Sequence, residues 1–363
     1  MKKIIALILS LALMTFMLAA CGQGSNKTPD ETPGQTQTPG GENKEDENAG
    51  GNQAGDALKT GLAVITSTGS SKDAGEGDGL AQVDSTVVAV TVDAGGKITN
   101  CKIDAVQTKI NFSAAGKITT PLDTVVSSKQ ELKDNYGMKK ASQIKKEWYE
   151  QADAFAAYVT GKTIDEVKGI ALDESGVPAD AELASSVTIH VTDFIAALEK
   201  AVNNAQNLGA KAGDKLGLAI ETSIDDSADA TAEKDGAAQA YSIYTATTFG
   251  SDGKITSCIL DASQTNVNFN TSGKITSDLT AVQQTKNELG EAYGMKKASS
   301  ISKEWNEQAA AFAEYVVGKT TDEVKGIAIN EEGVPTDAEL TSSVTIHVTD
   351  FINVIDKAAQ NAQ

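Results

Sequence analysis

Ser185-Ser-Val-Thr-Ile-His-Val-Thr-Asp-Phe-Ile195 recurs letter for letter as Ser342 to Ile352. The offset is 157 residues, and it also relates Tyr136-Gly-Met-Lys-Lys-Ala-Ser142 to Tyr293–Ser299. Gly161-Lys-Thr-x-Asp-Glu-Val-Lys-Gly-Ile-Ala171 returns at Gly318–Ala328 with the same spacing. Gly79 and Gly236 keep the register, whereas Gly61-Leu-Ala and Gly217-Leu-Ala are 156 apart, so the second copy carries one inserted residue upstream. A period this long marks a duplicated domain rather than a solenoid. The copies are placed at 58–207 and 214–363, joined by a short Gly-containing link at 208–213.

Each copy reads as α+β, a small antiparallel sheet with packed helices. Ser85–Asp93 (STVVAVTVD) is β-prone, Gly95-Gly96 supplies a turn, and Lys97–Asp104 (KITNCKID) follows as the hairpin partner. Residues 127–160 read as helical, with Tyr136-Gly137 breaking the run. Thr163–Val167 caps a further helical turn. Ser185–Thr192 alternates apolar and polar residues and predicts a half-buried strand. A C-terminal helix then starts at Asp193, with Phe194, Ile195, Leu198 and Val202 on one side.

The 363 residues hold 31 Lys+Arg, 50 Asp+Glu, 2 His and 3 Cys, for a formal charge of −19. No basic face is concentrated here, which argues against nucleic acid as a partner. The Cys and His are too few for repeated structural zinc sites or a disulfide scaffold. Cys101 and Cys258 take equivalent positions, one per copy, and read as single buried thiols rather than a redox dithiol.

Met1-Lys2-Lys3, the apolar run 4–20 and the small residues before Cys21 form an export signal. Leu18-Ala19-Ala20-Cys21 resembles the bacterial lipobox, which implies removal of 1–20 and lipidation of Cys21. Loss of Lys2 and Lys3 would take the formal charge from −19 to −21. Residues 22–56 contain Pro29, Pro33 and Pro39 and no Leu, Ile, Val, Phe, Tyr or Trp. Such a segment cannot bury enough apolar surface to offset chain entropy, so 21–57 reads as a lipidated Cys and a disordered tether.

The polar residues within SSVTIHVTDFI are the main chemical candidates. Copy one reads Glu182-Leu-Ala-Ser185-Ser186-Val187-Thr188, and copy two Glu339-Leu-Thr-Ser342-Ser343-Val344-Thr345. This resembles the FMN-binding domains of the sodium-pumping NADH:quinone oxidoreductase and the Rnf complex. Those carry an acidic residue, then Ser-Gly-Ala-Thr, then a C-terminal helix; here Ser replaces Gly, Val replaces Ala and Glu replaces Asp. The resemblance implies a phosphodiester from the Thr188 and Thr345 hydroxyls to FMN, two covalent FMN per chain, made by a dedicated flavin transferase. His190 and His347 lie on the same predicted strand face as the threonines and are expected near the flavin or its phosphate.

A second candidate pair is Thr108 and Thr265, in Asp104-Ala-Val-Gln-Thr108 and Asp261-Ala-Ser-Gln-Thr265. This stretch reads as a strand end and turn; as a flavin site it would line the isoalloxazine or carry the modified threonine. Lys139-Lys140 and Lys296-Lys297 read as a solvated face or a phosphate contact. Tyr136 and Tyr293 read as ring-stacking or core residues, and Trp148 and Trp305 as core.

Signal, tether and tandem domains together resemble the doubly flavinylated lipoproteins of Gram-positive extracellular electron transfer. That resemblance implies an electron carrier, not an enzyme, held at the outer face of the cell membrane through Cys21. Its expected partners are a quinol- or NADH-linked membrane donor and an extracellular acceptor such as ferric iron. The competing expectations are a solute- or peptide-binding surface lipoprotein without covalent cofactor, and a structural surface protein.

Overall fold

A computed structural model describes residues 57–362. The lipobox, Cys21 and the tether through residue 56 lie outside the described residues. Repeat one contributes β1 (Lys59–Ser67), β2 (Gly79–Val92) and β3 (Ile98–Phe112), then α1 (Lys129–Leu132), α2 (Trp148–Val159), α3 (Ile164–Lys168), α4 (Ala181–Ala184) and α5 (Thr192–Asn203). Repeat two follows with β4 (Lys215–Ser223), β5 (Gly236–Phe249) and β6 (Ile255–Phe269). Its helices are α6 (Lys286–Leu289), α7 (Trp305–Val316), α8 (Thr321–Lys325), α9 (Ala338–Thr341) and α10 (Thr349–Gln360).

Each sheet is a three-stranded antiparallel meander, ordered β1-β2-β3 and β4-β5-β6. The β2–β3 turn forms because the Asp93 carboxylate accepts the N–H groups of Gly95 (2.8 Å) and Lys97 (2.9 Å), and Gly96 takes φ +79°. The hairpin extends beyond the predicted Asp104 to Phe112, so Asp104–Thr108 lies inside β3 and is not a strand end.

Both faces of each long hairpin are buried, and the two faces have different partners. Val88, Val90, Ile98 and Ile103 pack against Phe155 of α2 and Phe194 of α5. The alternate positions, Val87, Ala89 and Val106, pack against Leu216, Leu218 and Tyr244 of the other sheet. The result is four layers: helices, sheet, sheet, helices. A Cβ on Gly61 would overlap the Ala201 carbonyl oxygen, and one on Gly217 that of Ala358. This close approach of α5 to β1, and of α10 to β4, accounts for the glycine retained at this position in both copies.

The repeats are related by a pseudo-two-fold axis that passes close to Phe112 and Phe269. These equivalent rings stack at 4.2 Å with 6° between planes. Contacts around them are reciprocal. Asp73 accepts the Ile275 N–H at 2.8 Å, and Asp229 accepts the Ile118 N–H at 2.8 Å. Lys200 pairs with Glu288, and Lys357 with Glu131. This is the geometry of an isologous dimer made within one chain. The link between copies lies along the entry to repeat one: the Leu58 N–H donates to Ala210 O and the Thr60 N–H to Gln206 O, each at 2.8 Å.

The predicted strand over Ser185–Thr192 is replaced by a loop between α4 and α5. Its alternation is real, with Val187 and Val191 fully buried and His190 exposed. Its backbone groups, however, are paired elsewhere. The Val187 N–H donates to Leu183 O, Val191 N–H to Gly176 O, and Thr188 N–H to a side chain. With its polar backbone satisfied that way, the segment joins no ladder.

Candidate functional site

Two of the stretches that are identical between copies converge on one glutamine. Gln151 Oε1 accepts the Thr188 N–H at 2.8 Å and the Thr188 Oγ1 hydroxyl at 3.2 Å. The amide end, Nε2, donates to Ser142 Oγ at 3.3 Å and Lys146 O at 3.2 Å. Repeat two reproduces this through Gln308, Thr345, Ser299 and Lys303, with the same four distances. Gln151 and Gln308 are fully buried on α2 and α7, so each is held rigidly between the Tyr-Gly-Met-Lys-Lys-Ala-Ser loop and the threonine loop.

A buried carboxylate fixes the first of these loops. Glu147 accepts the Met138 N–H at 2.7 Å and the Lys139 N–H at 3.0 Å, and Glu304 does the same for Met295 and Lys296. Gly137 and Gly294 take φ +77° and +80°, which lets the chain reverse between two short 3-10 turns. None of these four anchors was singled out by sequence reasoning. Their signal was available: all recur at the 157-residue offset, but their roles depend on long-range pairing.

Around Thr188, Ser185 is exposed and its hydroxyl donates to Glu182 O at 2.7 Å; Ser186 is half-buried and donates to Leu183 O at 3.2 Å. Ser342 and Ser343 bond to Glu339 O and Leu340 O in the same way. His190 and His347 are exposed. The first helical residue of α5 comes four positions after Thr188, and neither α5 nor α10 has a side-chain cap at its N-terminus.

Thr108 and Thr265 lie elsewhere. Both are core residues on the sheet faces between the repeats, 1% and 3% exposed. Thr108 Oγ1 has no hydrogen-bond partner. A modifying enzyme would have to open the sandwich to reach either one.

Lys129 and Lys286 explain Tyr136 and Tyr293. Lys129 Nζ stands 4.8 Å from the Tyr136 ring centroid and 5.0 Å from that of Trp148. Lys286 Nζ has the same two partners at 4.7 and 5.0 Å and a third, Tyr241, at 4.6 Å. Burial pushes the Lys286 ammonium down to about 8. Repeat one has Asp84 in place of Tyr241, bonded by Gln82 and Gln107.

Beneath these loops Asp104 and Asp261 are buried. Asp104 accepts the N–H groups of Ala105 (2.7 Å) and Gln130 (3.0 Å), and Asp261 those of Ala262 (2.8 Å) and Asn287 (3.0 Å). Burial pushes their carboxyls up, to about 7 and about 6. Cys101 and Cys258 are free and buried, and burial raises both thiols, Cys258 to about 11. Among the described residues no group of three or more His, Cys, Asp or Glu is placed to hold a metal ion, and no helix is long and apolar enough to cross a membrane.

Comparison with protein-family models, with curated proteins and with solved structures finds no match to this chain.

Proposed function

We propose that the chain is an extracytoplasmic electron carrier, anchored in the membrane through Cys21, with one FMN joined by a phosphodiester to Thr188 and a second to Thr345. The observation that carries this reading is the repeated setting of the two threonines. In each repeat the hydroxyl is half-buried in a surface loop, oriented by a buried glutamine, and four residues ahead of a 12-residue helix with no side-chain cap.

That setting fits a phosphate. The first-turn N–H groups of an uncapped helix favour an anion, and the exposed His190 and His347 lie two residues beyond the attachment oxygen. Asp193 and Asp350, in the first turns, oppose it. The flavin would supply reversible redox chemistry, and the chain would supply attachment, orientation and electrostatics. Gln151 and Gln308 would hold the threonine backbone in place through the Thr188 and Thr345 N–H groups, while the hydroxyl's own bond to the glutamine gives way to the ester. Ser185, Ser186, Ser342 and Ser343 would shape the turn through their bonds to the preceding helix.

On this reading the partners are a flavin transferase, a quinol- or NADH-linked membrane donor, and an external acceptor such as ferric iron. The acidic surface would favour a cationic acceptor, with the attraction screened by salt. Intact mass of the chain purified from its native host tests the reading. Two FMN additions, each with loss of one water, are expected, and in-gel fluorescence should survive denaturation. Thr188→Val should remove one addition and Thr345→Val the other. Retention of both additions in the double variant would place the attachment elsewhere, and an unmodified native chain would end the carrier hypothesis.

A further inference from the structure

The seam between the repeats leaves two clefts, one at each side of the pseudo-two-fold axis. They occupy equivalent places and are not equal. One, beside β3, α2 and the end of α10, has a volume of about 740 Å³; its counterpart beside β6 has about 420 Å³. The larger falls within the range of small-molecule sites. Its wall includes Ile103, Ala157 and Leu218.

Four of the ionisable groups of the larger cleft have no ionisable counterpart in the other repeat, whereas Asp104, Glu131 and Lys357 are matched by Asp261, Glu288 and Lys200 of the smaller cleft. Lys102, Lys133, Tyr149 and Asp153 line it. The equivalent residues of repeat two are Ile259, Gly290, Asn306 and Ala310. The carboxylates there are already engaged. Glu131 pairs with Lys357 at 3.1 Å, Asp153 accepts from Gln130 Nε2 at 2.8 Å, and Asp104 accepts two backbone N–H groups.

Two cations are left over. Lys102 Nζ donates to one backbone carbonyl, Asn361 O, at 2.5 Å, and has no ion pair among the described residues. Burial pushes its ammonium down, although Asp153 lies near enough to favour the charge. Lys133 also has no ion pair there, and it stands at φ +47°, a conformation suited to glycine. Repeat two places Gly290 at that position, at φ +49°. Repeat one therefore keeps a strained lysine at the cleft where its twin keeps the unstrained residue, a pattern that points to function.

We propose that the larger cleft binds a small organic anion with an apolar body, whose charge is met by Lys102 and Lys133 and whose body lies against Ile103, Ala157 and Leu218. The site is separate from the Thr188 and Thr345 loops and does not depend on the flavin reading. The lining sets Lys102, Lys133 and Lys357 against Asp104, Glu131 and Asp153, so the anion would be met locally, by the two lysines that have no ion pair among the described residues, and not by a net positive charge of the cleft.

Calorimetric titration of the full chain with naphthalene-2-sulfonate, and with the neutral naphthalene-2-sulfonamide, tests this. One sulfonate per chain is expected, at least tenfold tighter than the sulfonamide. Lys102→Ile with Lys133→Gly installs the residues of repeat two and is expected to fold. It should bring the sulfonate to the level of the sulfonamide and leave the sulfonamide unchanged. No binding of the sulfonate up to millimolar concentration, equal binding of the two probes by the unaltered chain, or unchanged sulfonate affinity in the double variant would each overturn the proposal.

Discussion

Repeat one places Val87 and Val106 where repeat two places Tyr244 and Ser263, whose side-chain oxygens lie 2.7 Å apart in the seam. In the clefts beside the seam, Lys102 of the first copy corresponds to Ile259 of the second. The residues that hold the threonine loops show the opposite behaviour. Glu147, Gln151 and Ser142 are matched by Glu304, Gln308 and Ser299, and their hydrogen bonds agree to within 0.1 Å. The sheets have thus diverged on both faces, since Val88 and Val90 of the helix-facing side correspond to Thr245 and Thr247, whereas identity collects around a loop with the same surroundings twice.

The sharpest way to break this comparison is at the axis, where the copies cannot be told apart. Phe112→Ala and Phe269→Ala each remove a fully buried ring from one shared stack. Each should cost about 3–5 kcal/mol in denaturant unfolding. The two losses should be nearly equal, and the double variant should lose less than their sum, because both act on one contact.

The buried aspartates should show a graded difference. Burial raises the Asp104 carboxyl from 3.8 to about 7, so the folded chain binds that proton more tightly than the unfolded chain. Its favourable contribution is present at acid pH and is lost as pH rises from about 4 through 7. Asp104→Asn should therefore stabilise on the order of 2–4 kcal/mol at pH 8 and change little at pH 4. Asp261, raised only to about 6, should show a smaller gain. Thermal melts at the two pH values check the order, and a larger gain at Asp261 would contradict it.

The smallest effect concerns the threonine loops. Gln151→Ala leaves the Thr188 N–H without its partner, at a cost of about 1–3 kcal/mol. Gln308→Ala should match it at Thr345. Amide hydrogen exchange should accelerate at the corresponding threonine and not at the other. Loss of protection at both would mean that the loops are coupled across the seam.

Much of this architecture could be read from residues alone. The repeat offset, the β2–β3 turn at Gly95-Gly96 and the Thr163 cap all rest on local chemistry, and each is present. The helical run expected over 127–160 is not: α-helix is confined to Lys129–Leu132 and Trp148–Val159, because the loop between them is held instead by the Glu147 carboxylate and by Gly137 in the left-handed region. The strand expected at Ser185–Thr192 failed because alternation reports burial, not pairing. Val187 and Val191 are buried by helices and the backbone is satisfied by Gln151 and turns. The sheet-on-sheet seam was hidden for a related reason. Ser85–Val92 buries both faces, so it carries no clean polar face to distinguish a solvated sheet from a sandwiched one. Thr188 and Thr345 were visible as repeated hydroxyls. The glutamines that orient them were not, because 37 residues separate each pair.

The pairing of the inter-repeat link with the start of β1 has a mechanical consequence. Ala57 bridges Lys211, and the hydrogen bonds of Leu58 and Thr60 to Ala210 and Gln206 follow directly. A pull on the chain ahead of Ala57 loads the Ala57 and Leu58 pairings first and reaches the Thr60 bonds together with the start of β1, where Thr60 also pairs with Thr91. The first bonds to yield would thus be those that hold the link to the entry of repeat one, so tension on that end would be felt between the two halves before it spread along β1.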